Sequence, residues 1–383
     1  MSKSVYINKI TSFLPNEPVE NGDMERILGQ VGPRPSRARK LILRSNKIKK
    51  RYYAIDRETL RPNYTVAELA AEAIRKLEGD SFQLSDIECM VCSTTMADQT
   101  MPNHGVMVHG ELGNPSCEVI STSGVCVCGA TALKYAYLSI AAGDSTVAVS
   151  SAADAPSSLM TAKHFDVENE EKVELLESKP EIAFEKDFLR WMLSDGAGAM
   201  MLSDTPNQNE KSSLKIDWID VYSFANEMSA CMYAGATKNA DGSLTGWRNF
   251  DAQSKERADC MTVTQDVKQL NEFVLKYTLE EPLKQSIHKR GLNTSDYDYF
   301  LPHFSSGYFE DKVAQSLESI DFSIEKEKWF TNLFDKGNTG SASIYIILEE
   351  LFNSGKLNKG EKILCYVPES GRFSTAFIQL TVV

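Results

Sequence analysis

Cys126 is the residue of this chain best placed for nucleophilic chemistry. It follows a β-branched pair, Val119-Ile120, and a turn cluster of Ser121, Thr122, Ser123 and Gly124 that offers several helix N-caps. Ala132, Leu133, Ala136, Tyr137 and Ile140 then recur at helical spacing, Gly143 stops the helix, and Val147 to Val149 open another strand. The pattern predicts strand, turn, helix, strand, with Cys126 in the first helical turn. Unpaired backbone N–H groups and the positive end of the helix dipole favour a thiolate there. Position alone does not make a catalyst, because free cysteine is among the most buried residue types and commonly fills core space. The chain has eight cysteines, and a nucleophilic one needs a histidine and an Asn or Asp from elsewhere.

An internal repeat supplies those partners. Ser85 to Ser93 (SDIECMVCS) has a counterpart in Ser295 to His303 (SDYDYFLPH), Gly124–Val149 in Gly337–Tyr366, and Asp195–Leu202 in Gly371–Ile378. Both halves alternate strands and helices, which predicts two packed α/β halves with mainly parallel strands, residues 1–205 and 206–383. In such layers functional residues gather at the carboxyl ends of strands and at the helix starts that follow. Cys126 holds that place in the first half. His303, closing the strand Tyr297–Pro302, and Asn338, at a helix start, hold it in the second. Halves packed about a pseudo-twofold axis bring the three together.

The remaining patterns predict a strand over 4–13, a helix over 65–77 with a Thr65–Glu68 capping box, a buried strand over 87–94, and a helix ending at Leu112. A charged excursion over 166–188, a linker over 205–213, a strand over 215–223, a turn-bearing loop over 239–247 and a long amphipathic helix over 263–289 follow.

Bulk properties exclude several function classes. With 383 residues, 42% hydrophobic and 25% charged, the chain is of globular type with an ample core. No run approaches the roughly 18 apolar residues of a membrane span, and MSKSVYINKITSFLPNEP has no signal-peptide core. A cytoplasmic protein with reduced thiols is expected. A net charge of −12 argues against generic nucleic-acid binding. The stretch from Arg34 to Arg51 is nevertheless basic and free of carboxylates. It is either a solvated loop or a contact for an acidic carrier or a nucleotide phosphate. Cys126 and Cys128 would diverge by about 200° on a helix, so no metal is expected at that pair, and no cofactor elsewhere. Asp195-Gly-Ala-Gly precedes a strand rather than following one, which rules out a dinucleotide site and leaves the glycines a role in close backbone approach. No Gly-x-Ser-x-Gly elbow supports serine hydrolase chemistry.

Several dispersed motifs, in order, resemble the β-ketoacyl-acyl-carrier-protein synthase III family of the thiolase-like superfamily. They are Cys126 with Gly129, Ala132-Leu133 and Gly143; Asp195-Gly-Ala-Gly-Ala; Pro302-His303; Gly337-Asn338-Thr339; and Ser370-Gly371-Arg372-Phe373. The resemblance implies an α/β thiolase-like fold, two pseudo-symmetric βαβαβ halves forming a layered αβαβα sandwich, and a homodimer. It implies that Cys126 accepts an acyl group from a thioester on acyl carrier protein or coenzyme A. His303 and Asn338 would stabilise the enolate of the second substrate, and the N–H groups of Cys126 and Gly371 would form the oxyanion hole. Met101 would reach across a twofold interface into the partner's acyl pocket, while Ser305, Ser306 and Phe373 would contact substrate.

Two departures stand out. Phe304-Ser305-Ser306 follows His303 where the family has Gln-Ala-Asn, and Arg372 replaces a common glycine. With extra length near 160–190 and 225–260, these suit a specialised condensing enzyme. Arg44–Asp56 and Met228–Ala236 are similar to ketosynthases of dialkylresorcinol and stilbene biosynthesis, which implies carbon–carbon bond formation with a second acyl or β-ketoacyl thioester. Decarboxylative condensation with a malonyl thioester, initiating fatty-acid or polyketide synthesis, is the alternative. A thioester-degrading enzyme and a non-catalytic partner of the same fold stay open.

Overall fold

The computed structural model describes residues 3–165, 173–174, 178–179, 189–208 and 212–383. Most of the expected 166–188 excursion and the centre of the 205–213 linker lie outside the described residues. The first half contains β1 (Tyr6–Phe13), α1 (Arg37–Asn46), α2 (Val66–Arg75), β2 (Cys89–Thr94), α3 (His104–Leu112), β3 (Glu118–Ser123), α4 (Val127–Ala142), β4 (Val147–Asp154) and β5 (Gly196–Ser203). The second contains β6 (Leu214–Ser223), α5 (Val267–Leu275), α6 (Glu281–Arg290), β7 (Tyr299–Pro302), α7 (Glu310–Ser319), α8 (Ser343–Phe352), β8 (Lys362–Glu369) and β9 (Ser374–Val382). α2 starts as expected: the Thr65 hydroxyl accepts from the Glu68 N–H while the Glu68 carboxylate accepts from the Thr65 N–H.

The nine strands form one sheet in the order β7-β8-β9-β6-β1-β5-β4-β2-β3. Numbered by appearance within each half, the first half reads 3-2-4-5-1 and the second 2-4-5-1, with strand 3 of the second reduced to a bridge between Phe300 and Trp329. The repeat seen in the sequence is thus a repeat of topology. β1 and β6 join the halves through only two residue pairs, Tyr6 with Lys215 and Ile7 with Leu214. The sheet folds at this seam around α4 and α8, which pack on each other between the two halves. α8 is buried over most of its length, including Ile344, Tyr345 and Leu348, as expected of a helix covered on both faces. α2 and α3 cover the outer face of the first half, and α6 lies on β9 of the second. The result is the layered αβαβα sandwich.

The expectation of mainly parallel strands is corrected. β2–β3, β2–β4 and β7–β8 are parallel, while β1–β5, β4–β5, β8–β9, β9–β6 and β1–β6 are antiparallel. Between β8 and β9 the cause is direct: the short turn Ser370–Phe373 cannot carry a crossover, so the strands form a hairpin. The 263–289 helix is also revised. Thr264-Gln265 instead pairs as a strand with Met232-Tyr233, the Asp266 side chain caps the helix by accepting from the Gln269 N–H, and a π-helical segment, Lys276–Glu280, joins α5 to α6. The 239–247 loop is the tip of a small hairpin, Ala236–Lys238 against Leu244–Gly246.

Candidate active site

The turn after β3 delivers Cys126 to the N-cap of α4 with backbone angles already helical, φ −57° and ψ −32°. Three residues on, Gly129 lets α4 cross the second half at contact distance. A Cβ there would collide with the Ser341 carbonyl and come within 3.1 Å of the Tyr345 ring. The Tyr345 hydroxyl donates to the Gly129 carbonyl at 2.9 Å and lies 2.6 Å from Ser150 Oγ. This close crossing brings the start of α4 beside the loop that leads into α8, which carries Asn338.

His303 follows the last residue of β7 and is anchored by its N–H to the Tyr366 carbonyl at 2.9 Å. Cys126, His303 and Asn338 line one cavity of about 430 Å³. Asn338 Oδ1 accepts from the Gly340 N–H at 3.0 Å, which leaves the amide NH₂ end to act as a donor. Burial lowers the His303 pKa to about 4, so the imidazole is neutral near pH 7 and presents one N–H donor. From the catalytic centre the cavity continues past Leu159, Leu189, Met192, Leu270, Val274 and Leu275, an apolar wall. Asp98, Asp154 and Glu369 also line it, and among its described lining residues there is no lysine or arginine.

The expected resting thiolate is corrected by these surroundings. Burial first, then the Glu369 and Asp154 carboxylates, push the Cys126 thiol well above its ordinary value. The helix dipole is outweighed, and the sulfur rests protonated at neutral pH.

Gly371 stands in the tight turn after Glu369 and Ser370, both in the cavity wall. Its carbonyl accepts from the N–H groups of Cys231 and Met232, at 2.8 and 3.2 Å. A Cβ at Gly371 would come 3.0 Å from Val125 Cγ2, so this turn packs directly on the residue before the nucleophile. Of the other expected contacts, Ser305 lines the cavity. Ser306 and Phe373 do not: the Ser306 side chain accepts from the Tyr308 N–H, capping a short turn, and Phe373, with φ +54°, is fully buried beside Tyr277. Met101 is 80% exposed and is not in the cavity wall of its own chain.

Asp195 acts structurally, as expected of its motif, and more widely. Its carboxylate accepts from the N–H groups of Ala54 and Ser157 at 2.6 and 2.9 Å, and its own N–H donates to the Tyr52 carbonyl. The basic segment is partly neutralised through space by carboxylates from other elements. Arg39 pairs with Glu25 at 3.1 Å and Lys47 with Glu310 at 2.9 Å, while Arg51 is wholly buried and donates to the Trp191 carbonyl at 2.7 Å.

Sequence reasoning missed Glu369, Asp154 and the part of the wall built by the 225–265 region. Met232, Met261, Val263 and Gln265 line the cavity, and the Gln265 amide donates to Ser370 Oγ at 2.9 Å. The extra segment therefore clamps the Gly371 turn and completes the enclosure. Glu369 was in view beside Ser370-Gly371, and a carboxylate within a glycine turn that faces a cysteine helix was the available signal.

Residues 287–376 match the family model for the C-terminal domain of 3-oxoacyl-[acyl-carrier-protein] synthase III. The chain is 24% identical over 321 residues to a β-ketoacyl-[acyl-carrier-protein] synthase III of Clostridium perfringens, covering 83% of each. A synthase III of Xanthomonas campestris is 22% identical over 371 residues, 95% of each chain. It belongs to the β-ketoacyl-acyl-carrier-protein synthase III family of the thiolase-like superfamily. Members of this family are acyl-transferring ketosynthases, and the chain is one of them. Solved structures share its fold. AbyA1, a tetronic acid condensing enzyme, superposes with a TM-score of 0.74 at 18% identity, covering 98% of this chain and 99% of that one. Xanthomonas campestris OleA with bound lauric acid and lauroyl-CoA gives 0.71 at 16% identity over the whole of both chains.

Proposed function

We propose that this ketosynthase joins two acyl thioesters, holding the first acyl group on Cys126 and forming a carbon–carbon bond to the second in the same cavity. The observation that carries this is the convergence of Cys126, His303 and Asn338, from opposite halves, at the head of an apolar enclosure. The Cys126 sulfur attacks the donor carbonyl, and the oxyanion is held by the N–H groups of Cys126 and Gly371. The carrier thiol departs, leaving an acyl-enzyme whose alkyl chain lies along the Leu159–Leu275 wall. The carbonyl of the second thioester then takes hydrogen bonds from the neutral His303 N–H and the Asn338 NH₂, which stabilises its enolate. The enolate carbon attacks the acyl group and releases Cys126.

The OleA structure binds lauric acid and lauroyl-CoA, which supports a fatty acyl donor. Exposed Arg34, Lys40, Arg44 and Lys49 on and around α1 suit the acidic surface of a carrier protein or the phosphates of coenzyme A. α1 packs on the Gly307–Phe309 turn, whose Phe309 is in the cavity wall. The segments Arg44–Asp56 and Met228–Ala236, the latter now part of the clamp on Gly371, support a β-ketoacyl second substrate of dialkylresorcinol type. The edge strand β3, with exposed Met101, Val106, Tyr135 and Leu138 near it, supports a cytoplasmic homodimer in which Met101 serves the partner's pocket. The halves divide at about residue 205, before β6.

The test is intact-mass spectrometry after incubation with lauroyl-CoA. One lauroyl adduct on the wild type, absent from Cys126→Ala, is expected. An adduct that persists in Cys126→Ala removes the assigned nucleophile.

A further inference from the structure

Glu369 is a carboxylate at the reacting centre for which the acyl-transfer chemistry above has no task. It closes β8 and lies between two turns, the one that presents Cys126 and the one that contains Gly371. Its Oε2 accepts from the Val125 N–H at 3.0 Å, and a Cβ on Gly371 would stand 3.2 Å from its Oε1. It shares the cavity wall with Cys126, His303 and Asn338. Asp154, the other carboxylate near the sulfur, is committed: its oxygens take hydrogen bonds from Thr94 Oγ1, the Thr95 N–H and hydroxyl, and the Ser341 N–H, at 2.7 to 3.1 Å.

The charge of the cavity bears on what the second substrate is. A malonyl thioester brings its own carboxylate and generates its carbanion by losing carbon dioxide, with no need of a base. Here it would meet Asp98, Asp154 and Glu369 and no lining lysine or arginine, among the described residues, and that desolvated like-charge contact is unfavourable. An uncharged acyl or β-ketoacyl thioester avoids the repulsion. It retains its α-proton, however, and a protein group must remove it.

We propose that Glu369 is the base that takes the α-proton of the second acyl thioester, making the condensation non-decarboxylative. This deepens the ketosynthase reading above and rests on it. The Glu369 carboxylate accepts the α-proton as the C–H bond breaks, and the electron pair passes into the enolate held by His303 and Asn338. The enolate carbon bonds to the acyl carbon on Cys126, and collapse of the tetrahedral intermediate breaks the C–S bond. The Cys126 thiolate takes the proton back from Glu369, so the cycle closes with no carbon dioxide released and no added reactant. Burial and the neighbouring groups fit the task, because Glu369 is raised above the ordinary carboxyl range and is correspondingly a stronger base.

The experiment follows two events separately in wild type, Glu369→Gln and Glu369→Asp, with lauroyl-CoA as the only substrate in deuterated buffer. Intact mass reads the adduct on Cys126. Mass spectrometry of the small molecules reads the condensed product and deuterium at the α-carbon of recovered lauroyl-CoA. Glu369→Gln, which keeps an acceptor for Val125, is expected to form the adduct like wild type, while condensation and α-deuteration fall by about 100-fold or more. Glu369→Asp restores part of both. In wild type the condensation rate is lost as pH falls through the raised Glu369 pKa, and that limb is missing in Glu369→Gln. The proposal is overturned if Glu369→Gln condenses like wild type. Loss of adduct along with product in that variant assigns the residue to positioning of the Val125 turn and also overturns it, as does wild-type condensation with malonyl-CoA alone. Absence of any adduct on wild type overturns the ketosynthase reading itself, a separate failure.

Discussion

The hydroxyl of Tyr345, on the central helix of the second half, donates to the carbonyl of Gly129 on the helix that begins at Cys126, at 2.9 Å. The bond is fully buried and also engages Ser150 Oγ at 2.6 Å, so one phenol ties α8, α4 and β4 together directly behind the nucleophile. Removing that hydroxyl strands a buried carbonyl and a buried serine. Tyr345→Phe is expected to lower the unfolding free energy by about 1–3 kcal/mol in urea titration, and to slow Cys126 acylation as the helix start loses its register.

Gly129 tests the same crossing from the other side. Its missing side chain is what lets the Ser341 carbonyl and the Tyr345 ring approach. Gly129→Ala is expected to cost about 1–3 kcal/mol by overpacking, read by the same titration. An alanine tolerated without cost would mean that the two helices do not touch there.

Cys126 should behave as a suppressed thiol. With its pKa raised by burial and by Glu369 and Asp154, alkylation by iodoacetamide is expected to be slow at pH 7 and to keep rising above pH 9, the ordinary thiol value. Glu369→Gln removes one of the two carboxylates and shifts that rise to lower pH. A reactive thiolate at pH 6 contradicts the electrostatics of the site.

His303 carries a pH signature in stability. Its folded pKa of about 4 lies below the ordinary 6.5, so below pH 6.5 the unfolded chain binds a proton that the folded one does not. The stability that depends on the neutral imidazole is whole above pH 6.5 and is lost as pH falls toward 4, by as much as about 3 kcal/mol. Wild type compared with His303→Ala over that interval isolates it, since the variant lacks this component of the decline.

Much of the site was legible because each residue sits at a punctuation mark. Cys126 ends a Ser/Gly turn before a helix, His303 follows Pro302 at a strand end, and Asn338 stands between Gly337 and Thr339. The repeat then supplied the geometry that lets residues 126, 303 and 338 meet. What was hidden depends on contacts rather than patterns. Periodicity places β5 and β9 as strands without saying that they run antiparallel to β4 and β8. Ser306 and Phe373 neighbour the right motifs, yet one turns back to cap Tyr308 and the other enters the core. The suppressed thiol could not be read locally either, because Glu369 is 243 residues away along the chain and meets the Cys126 turn only through the hydrogen bond to Val125.

The most direct measurement is the product formed from a lauroyl thioester and a β-ketoacyl thioester, analysed by mass spectrometry for wild type, Cys126→Ala, His303→Ala and Asn338→Ala. The account predicts a product containing both chains with wild type alone. Cys126→Ala forms neither adduct nor product, while His303→Ala and Asn338→Ala still carry the lauroyl group on Cys126 but fail to condense it. Product formed by Cys126→Ala, or condensation undiminished in both other variants, would contradict the claim that the two halves build one carbon–carbon bond-forming site.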